Sequence, residues 1–113
     1  MKRLEIIIKP DKLETMKELL ETYKCGGMTL SSVMGYGNQK GHVTTEYKGL
    51  KININLLPKI MVIAVVQDEV VEALLADIHE KIGTNSVGDG KVFVTEVVDA
   101  MRIRTGERKE KAI

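Results

Sequence analysis

With 113 residues the chain is near the commonest size of a single domain, and at 43% hydrophobic with only three tyrosines and one phenylalanine its core must be mostly aliphatic. Seventeen basic residues against sixteen acidic ones leave a net charge of +1, which excludes a nucleic-acid or membrane surface held by bulk charge. Any charged partner must therefore be bound locally.

Residues 2–8 (KRLEIII) predict a first strand, ended by Lys9-Pro10-Asp11. Asp11 is expected to cap a helix whose apolar positions Leu13, Met16, Leu19, Leu20 and Tyr23 recur at helical spacing, with Gly26-Gly27 as its stop. MTLSSVMGY (28–36) reads as a second strand, and 37–57 has no helical period. KIMVIAVVQ (59–67) is a nearly continuous aliphatic run, as in a strand buried on both faces. Asp68 then opens a second helix with Val70, Val71, Leu74, Leu75, Ile78 and Ile82 on one side, ending at Gly83. KVFVTEVV (91–98) supplies another strand, and MRIRTGERKEKAI predicts a short extended piece and a charged tail from about 105 to 113.

Two β-α-β units in succession predict an α+β, ferredoxin-like βαββαβ domain over 1–113: an antiparallel four-stranded sheet with two helices on one face. The other face would be bare, and a domain this small is expected to bury it by self-association. The apolar stretch of the opening MKRLEIIIKPDK is too short for a signal peptide or a spanning helix, which predicts a cytoplasmic protein without membrane insertion. Cys25 has no second cysteine to pair with, and the six methionines read as core filler. An RNA-binding sheet face would need more aromatics than this chain has.

A connection of about twenty residues is uncommon in a compact domain unless it is functional or disordered. Its end, ININLLPK (52–59), alternates isoleucine with asparagine, compatible with a hairpin arm or with a strand that pairs only on a partner. GYGNQKG (35–41) and SVGDGKV (86–92) fit no Walker loop, but glycines can turn successive backbone N–H groups inward to form an anion site, and Lys40 and Lys91 adjoin such turns. A plain turn between helix and strand has the same composition. Arg102 and Arg104, two apart on an extended segment, would project from one face and fork onto phosphate oxygens; a solvated strand is the bland alternative. His42 and His79 have no zinc-ligand spacing around them.

KLETMKELL, GMTLSSVMGYGNQKGH, LLPK, VGDGKVFV and MRIRTGE, in this order and at these distances, resemble the PII nitrogen-regulatory signal-transduction family along essentially the whole chain. The resemblance implies a homotrimer with nucleotide sites in clefts between subunits, protruding T-loops (here about 37–57), and a sensor of ATP or ADP that in many members also binds 2-oxoglutarate with magnesium. Ile7, Thr29 and Val65 would contact adenine and ribose, while Gly35, Tyr36, Gly37 and Asn38 approach the nucleotide from the loop base. Gly88, Asp89, Gly90 and Lys91 would wrap the phosphates, and Arg102 and Arg104 would reach them across the subunit boundary. Gln39 would help hold magnesium, and with Lys40, Gly41 and Lys59 would receive 2-oxoglutarate. The T-loop, with Tyr47, Lys48 and Ile52, would dock on an ammonium channel, another membrane transporter or a nitrogen-metabolism enzyme, placing the protein peripherally at a membrane when its target is there.

Several positions depart from the family pattern. Ile52 stands where many relatives carry a uridylylated tyrosine, Leu50 where some carry a phosphorylated serine, and Lys48 where several carry a channel-plugging arginine. Ile63 replaces a common glutamate, which removes a charge from near Lys59 and motivates the alternative of a regulator that senses adenine nucleotides alone. A small nucleotide phosphohydrolase is the alternative from another class; Asp89 and Glu96 would be its candidate bases.

Overall fold

The computed structural model of the chain describes residues 1–37, 43–47, 50–54 and 56–113; of 43–47 and 50–54 it describes the backbone alone. Strand β1 (Lys2–Ile8) is followed by helix α1 (Leu13–Thr22) and β2 (Thr29–Gly35). A hairpin of β3 (Val43–Tyr47) and β4 (Leu50–Ile54) precedes β5 (Leu57–Val66), α2 (Val71–Ile82) and β6 (Gly90–Glu96). Four strands form one antiparallel sheet in the order β2-β5-β1-β6, and β3 and β4 pair as a separate two-stranded sheet. The first β-α-β unit therefore straddles β5, and the second straddles β1. This is the ferredoxin-like arrangement the sequence predicts.

Period-two alternation along the strands decides what is buried. Leu4, Ile6 and Ile8 of β1 and Val62, Ala64 and Val66 of β5 face the helices and are almost wholly excluded from water. Met16, Leu19 and Leu20 of α1, with Leu74, Ile78 and Ile82 of α2, close over them into one core. Each such side chain contributes roughly 1.5–3 kcal/mol when fully buried. Across the helix pair, the Tyr23 hydroxyl donates to the Asp77 carboxylate and to the Ala73 carbonyl.

The first helix does not begin on the expected Asp11 cap, whereas Asp68 opens the second helical segment as expected. Both start through a 3-10 turn, Pro10–Lys12 and Asp68–Val70, with no side-chain cap hydrogen bond. The Asp68 carboxylate instead accepts from the Met1 amino group at 2.9 Å and lies 3.3 Å from the Lys2 ammonium. Helix α1 also stops before its glycines. Lys24 adopts φ +55°, its N–H donating to the Glu21 carbonyl and that of Cys25 to Leu20, the double closure of a Schellman end.

The long aliphatic run of β5 predicts burial on both faces, but within one chain only the helix side is covered. Met61, Ile63 and Val65 on the open face are half-buried, and neighbouring Phe93 of β6 is 48% exposed. Val98 and Ile103 stand out further, at 88% and 91%.

Candidate functional site

The glycine turn after α2 is built by hydrogen bonds before it meets any ligand. Gly83 ends the helix by donating to the His79 carbonyl at 3.1 Å, and a Cβ at Gly83 would lie 2.5 Å from that oxygen. The Asp89 carboxylate accepts from the Thr84 hydroxyl, from the Thr84 N–H at 2.7 Å and from the Ser86 N–H at 3.4 Å. These bonds, the hydroxyl first, hold its pKa down to about 2. Asp89 thus braces the turn with the carboxylate that the sequence assigns to phosphate binding or to a general base. Glu96, the other candidate base, pairs with Lys2 at the far end of β6.

Gly88 and Gly90 have φ +98° and +117°, conformations that exclude most side chains. At Gly90 the constraint is also steric, because a Cβ would sit 1.8 Å from the Ile7 carbonyl oxygen. The turn is thereby pressed against β1, and Lys91 follows directly opposite Ile7 in the β1–β6 register. From β5, the Lys59 ammonium donates to the Gly88 carbonyl at 2.8 Å. Lys59 is 9% exposed, and burial, then repulsion from Lys9, lowers its pKa, with Asp89 opposing. Gly35 leaves room for its stem, since a Cβ there would approach Lys59 Cγ to 3.2 Å.

These groups line a cleft of about 450 Å³. It gathers Ile7, Gly35, Tyr36 and Gly37 on one side and Lys59, Gly88, Gly90 and Lys91 on the other. Leu57, Val87 and Phe93 also line it and are absent from the sequence assignment. Phe93 was findable, because it alternates outward between Val92 and Val94 and shares the open face with Lys91. Nothing local marks Leu57 or Val87.

The remaining predicted residues lie elsewhere. Thr29, Val65 and Arg102 line a second cleft of about 540 Å³, together with Gly27, Met28 and Ile63. The two clefts share no lining residue. Arg102 and Arg104 do not ride an extended strand: 103–105 form a turn closed by the Gly106 N–H donating to the Arg102 carbonyl at 2.7 Å, with Met101 bridged to Arg108. The same-face inference from their spacing therefore fails. Arg102 is anchored to Glu107 by its N–H at 2.9 Å and its guanidinium at 3.3 Å, while Arg104 is exposed on the turn. Part of the expected charged tail is ordered as a 3-10 turn, Lys109–Ala112, so that Ala112 and Ile113 reach the second cleft.

Asn38, Gln39, Lys40, Gly41 and Lys48 lie outside the described residues, as do the side chains of Tyr47 in β3 and Ile52 in β4. Among the described residues no three His, Cys, Asp or Glu side chains gather as a metal set, and no helix is long and apolar enough to cross a membrane. The described chemistry suits an anion: fixed glycine-turn backbone, a buried ammonium and a second lysine around one cleft, with a hydroxyl and a guanidinium at the other.

A family model described as "Nitrogen regulatory protein P-II" matches residues 1–107. The chain is 45% identical over 113 residues to the Nitrogen regulatory protein P-II of Haemophilus influenzae and 42% identical to P-II 1 of Escherichia coli (strain K12), each alignment covering both chains in full. It is 43% identical to P-II 2 of Methanothermobacter thermautotrophicus, over all of this chain and 97% of that one.

Proposed function

The chain belongs to the nitrogen regulatory protein P-II family, and from that membership we propose that it is a non-enzymatic signalling protein that senses ATP against ADP and controls a transporter or a nitrogen-metabolism enzyme through the 37–57 loop. Three copies associate through the open sheet face, where Met61, Ile63, Val65 and Phe93 need cover. The first cleft of one copy then meets the second cleft of its neighbour. The polyphosphate sits on the Gly88–Lys91 turn, and Thr29, Val65 and Arg102 arrive from the adjoining copy.

The observation that carries this reading is the division of the binding residues into two clefts with complementary chemistry and no common member. Each cleft sets cationic groups beside apolar ones, Lys59 and Lys91 with Ile7 and Phe93 in the first, Arg102 with Ile63 and Val65 in the second. Magnesium, if bound, would be held with the help of Gln39 and would supply positive charge against the polyphosphate. The switch is a population shift: a third phosphate favours one arrangement of the loop that begins at Gly35–Gly37, and ADP favours another.

Calorimetric titration of the chain with Mg-ATP and with ADP, repeated on Arg102→Ala, tests the site. We expect the substitution to weaken binding about 10- to 100-fold, the range for one lost charge-assisted contact of roughly 1.5–3 kcal/mol. An unchanged isotherm would refute the assignment. Heat from 2-oxoglutarate that requires Mg-ATP and vanishes in Lys59→Ala marks a full carbon and nitrogen sensor; no heat leaves a sensor of nucleotides alone.

A further inference from the structure

Three lysines converge where β1, β5 and β6 meet the glycine turn, and only two of them, Lys59 and Lys91, line the first cleft. The last rungs of the two registers at this end set Ile8 opposite Ile60 and opposite Gly90. Lys9 keeps an extended backbone, with φ −66° and ψ 145°, so one further step sets it opposite Lys59 on one side and Asp89 on the other. Alternation puts Lys9 on the open face with Ile7, the face that carries Lys59 and Lys91.

Like charges directly opposite on a sheet repel. Lys9 and Lys59 are so placed, and the carboxylate at this corner, Asp89, already accepts the hydrogen bonds of the turn from Thr84 and Ser86. Among the described residues no carboxylate lies within ion-pair distance of the Lys9 ammonium. Its field reaches both neighbours: burial first and Lys9 second lower the Lys59 pKa, and Lys9 adds to the Thr84 and Ser86 hydrogen bonds that depress Asp89. Ammonium groups crowded around one committed carboxylate are relieved by a further anion.

The first cleft also has a direction. Phe93, opposite Glu5, and Ile7 supply its apolar part along the sheet, whereas Lys59 and Gly88 mark the end nearest Lys9. A ligand with one charged end therefore points that end toward Lys9, and each added phosphate brings negative charge closer to it.

We infer that Lys9 is a specificity-determining residue that favours a nucleoside triphosphate over the diphosphate, by placing a third positive charge beyond Lys59 and Lys91 at the turn end of the first cleft. This rests on the nucleotide-binding reading above, which assigns Lys9 no part. Lys9 is absent from the cleft lining and acts past Lys59, so its contribution is Coulombic and greatest on the last phosphate.

The test is calorimetric titration of the full chain with ATP and with ADP, without added magnesium so that the terminal phosphate carries its full charge. The natural sequence is compared with Lys9→Gln, Lys9→Arg and Lys12→Gln at one ionic strength. Lys9→Gln is expected to weaken ATP about tenfold and ADP about twofold, the scale of one charge acting over several ångströms in a partly screened medium. Lys9→Arg keeps the charge, and Lys12→Gln removes one from the neighbouring turn; both should keep the natural ratio of ATP to ADP affinity. An unchanged ratio in Lys9→Gln, an equal shift in Lys12→Gln, or a loss confined to 2-oxoglutarate overturns this inference and leaves the nucleotide site standing. A urea midpoint of Lys9→Gln well below the natural one does the same, because the charge removed would then be one that the fold already uses. Failure of the natural chain to bind either nucleotide overturns both.

Discussion

Replacing Gly90 by alanine places a methyl carbon 1.8 Å from the Ile7 carbonyl oxygen, where real contacts essentially never fall below 3.0 Å. The backbones of β1 and β6 must then part by about an ångström at the Ile8–Gly90 rung, or the residue must leave φ +117°. Backbone strain in this region costs on the order of 1–3 kcal/mol, and a damaged ladder hydrogen bond adds about 1 kcal/mol. We therefore expect Gly90→Ala to lose roughly 3 kcal/mol, a fall of about 1–2 M in urea midpoint at the slopes usual for small domains. Gly106→Ala is the control: φ there is +75°, but nothing lies within 4 Å of the added carbon. It should cost only about 1 kcal/mol, the conformational part alone. Both variants are unfolded at one chain concentration, since association couples to stability. If Gly90→Ala proves no more destabilising than Gly106→Ala, the close approach of turn and strand is not what makes glycine necessary, and the account of how the first cleft is built fails.

Two further outcomes are expected. The Asp89 carboxylate, at about 2 instead of its ordinary 3.8, contributes stability that is present above that ordinary value and lost as pH falls toward 2; denaturation midpoints between pH 5 and pH 2 should fall less in Asp89→Asn than in the natural chain, and parallel curves would remove Asp89 as the brace. Lys24→Gly relieves a left-handed lysine at the end of α1, so it should raise stability by roughly 0.5–1 kcal/mol and the thermal midpoint by about 2–4 °C; a lowered midpoint would mean that the lysine side chain outweighs its backbone strain.

Local pattern was enough wherever the deciding interaction was local. The alternation in KRLEIII places β1 at Lys2–Ile8, and Gly83 ends α2 as its position suggests. Long-range partners were not legible: nothing near Asp68 in the sequence announces that the Met1 amino group donates to its carboxylate. Lys24 shows the converse, a residue that lacks glycine's freedom taking the glycine's role because two carbonyls of the last turn need closing. In the candidate site, the glycine turn could be found because close backbone approach requires glycine itself. The arginine pair could not be placed, because spacing fixes direction only on a strand and 103–105 is a turn. Leu57 and Val87 carry no signal beyond being apolar; only the folded sheet brings them beside Lys59.

The strand order β2-β5-β1-β6 has a consequence for how this protein comes into being. Each half of the sequence leaves a gap that only the other half can fill, so neither holds a finished layer by itself. The first cleft inherits the same dependence, taking Ile7 and Gly35 from one half and Lys59 and Gly88 from the other. A nascent chain therefore holds no complete first cleft until β5 and the glycine turn before β6 have been synthesised and placed beside β1.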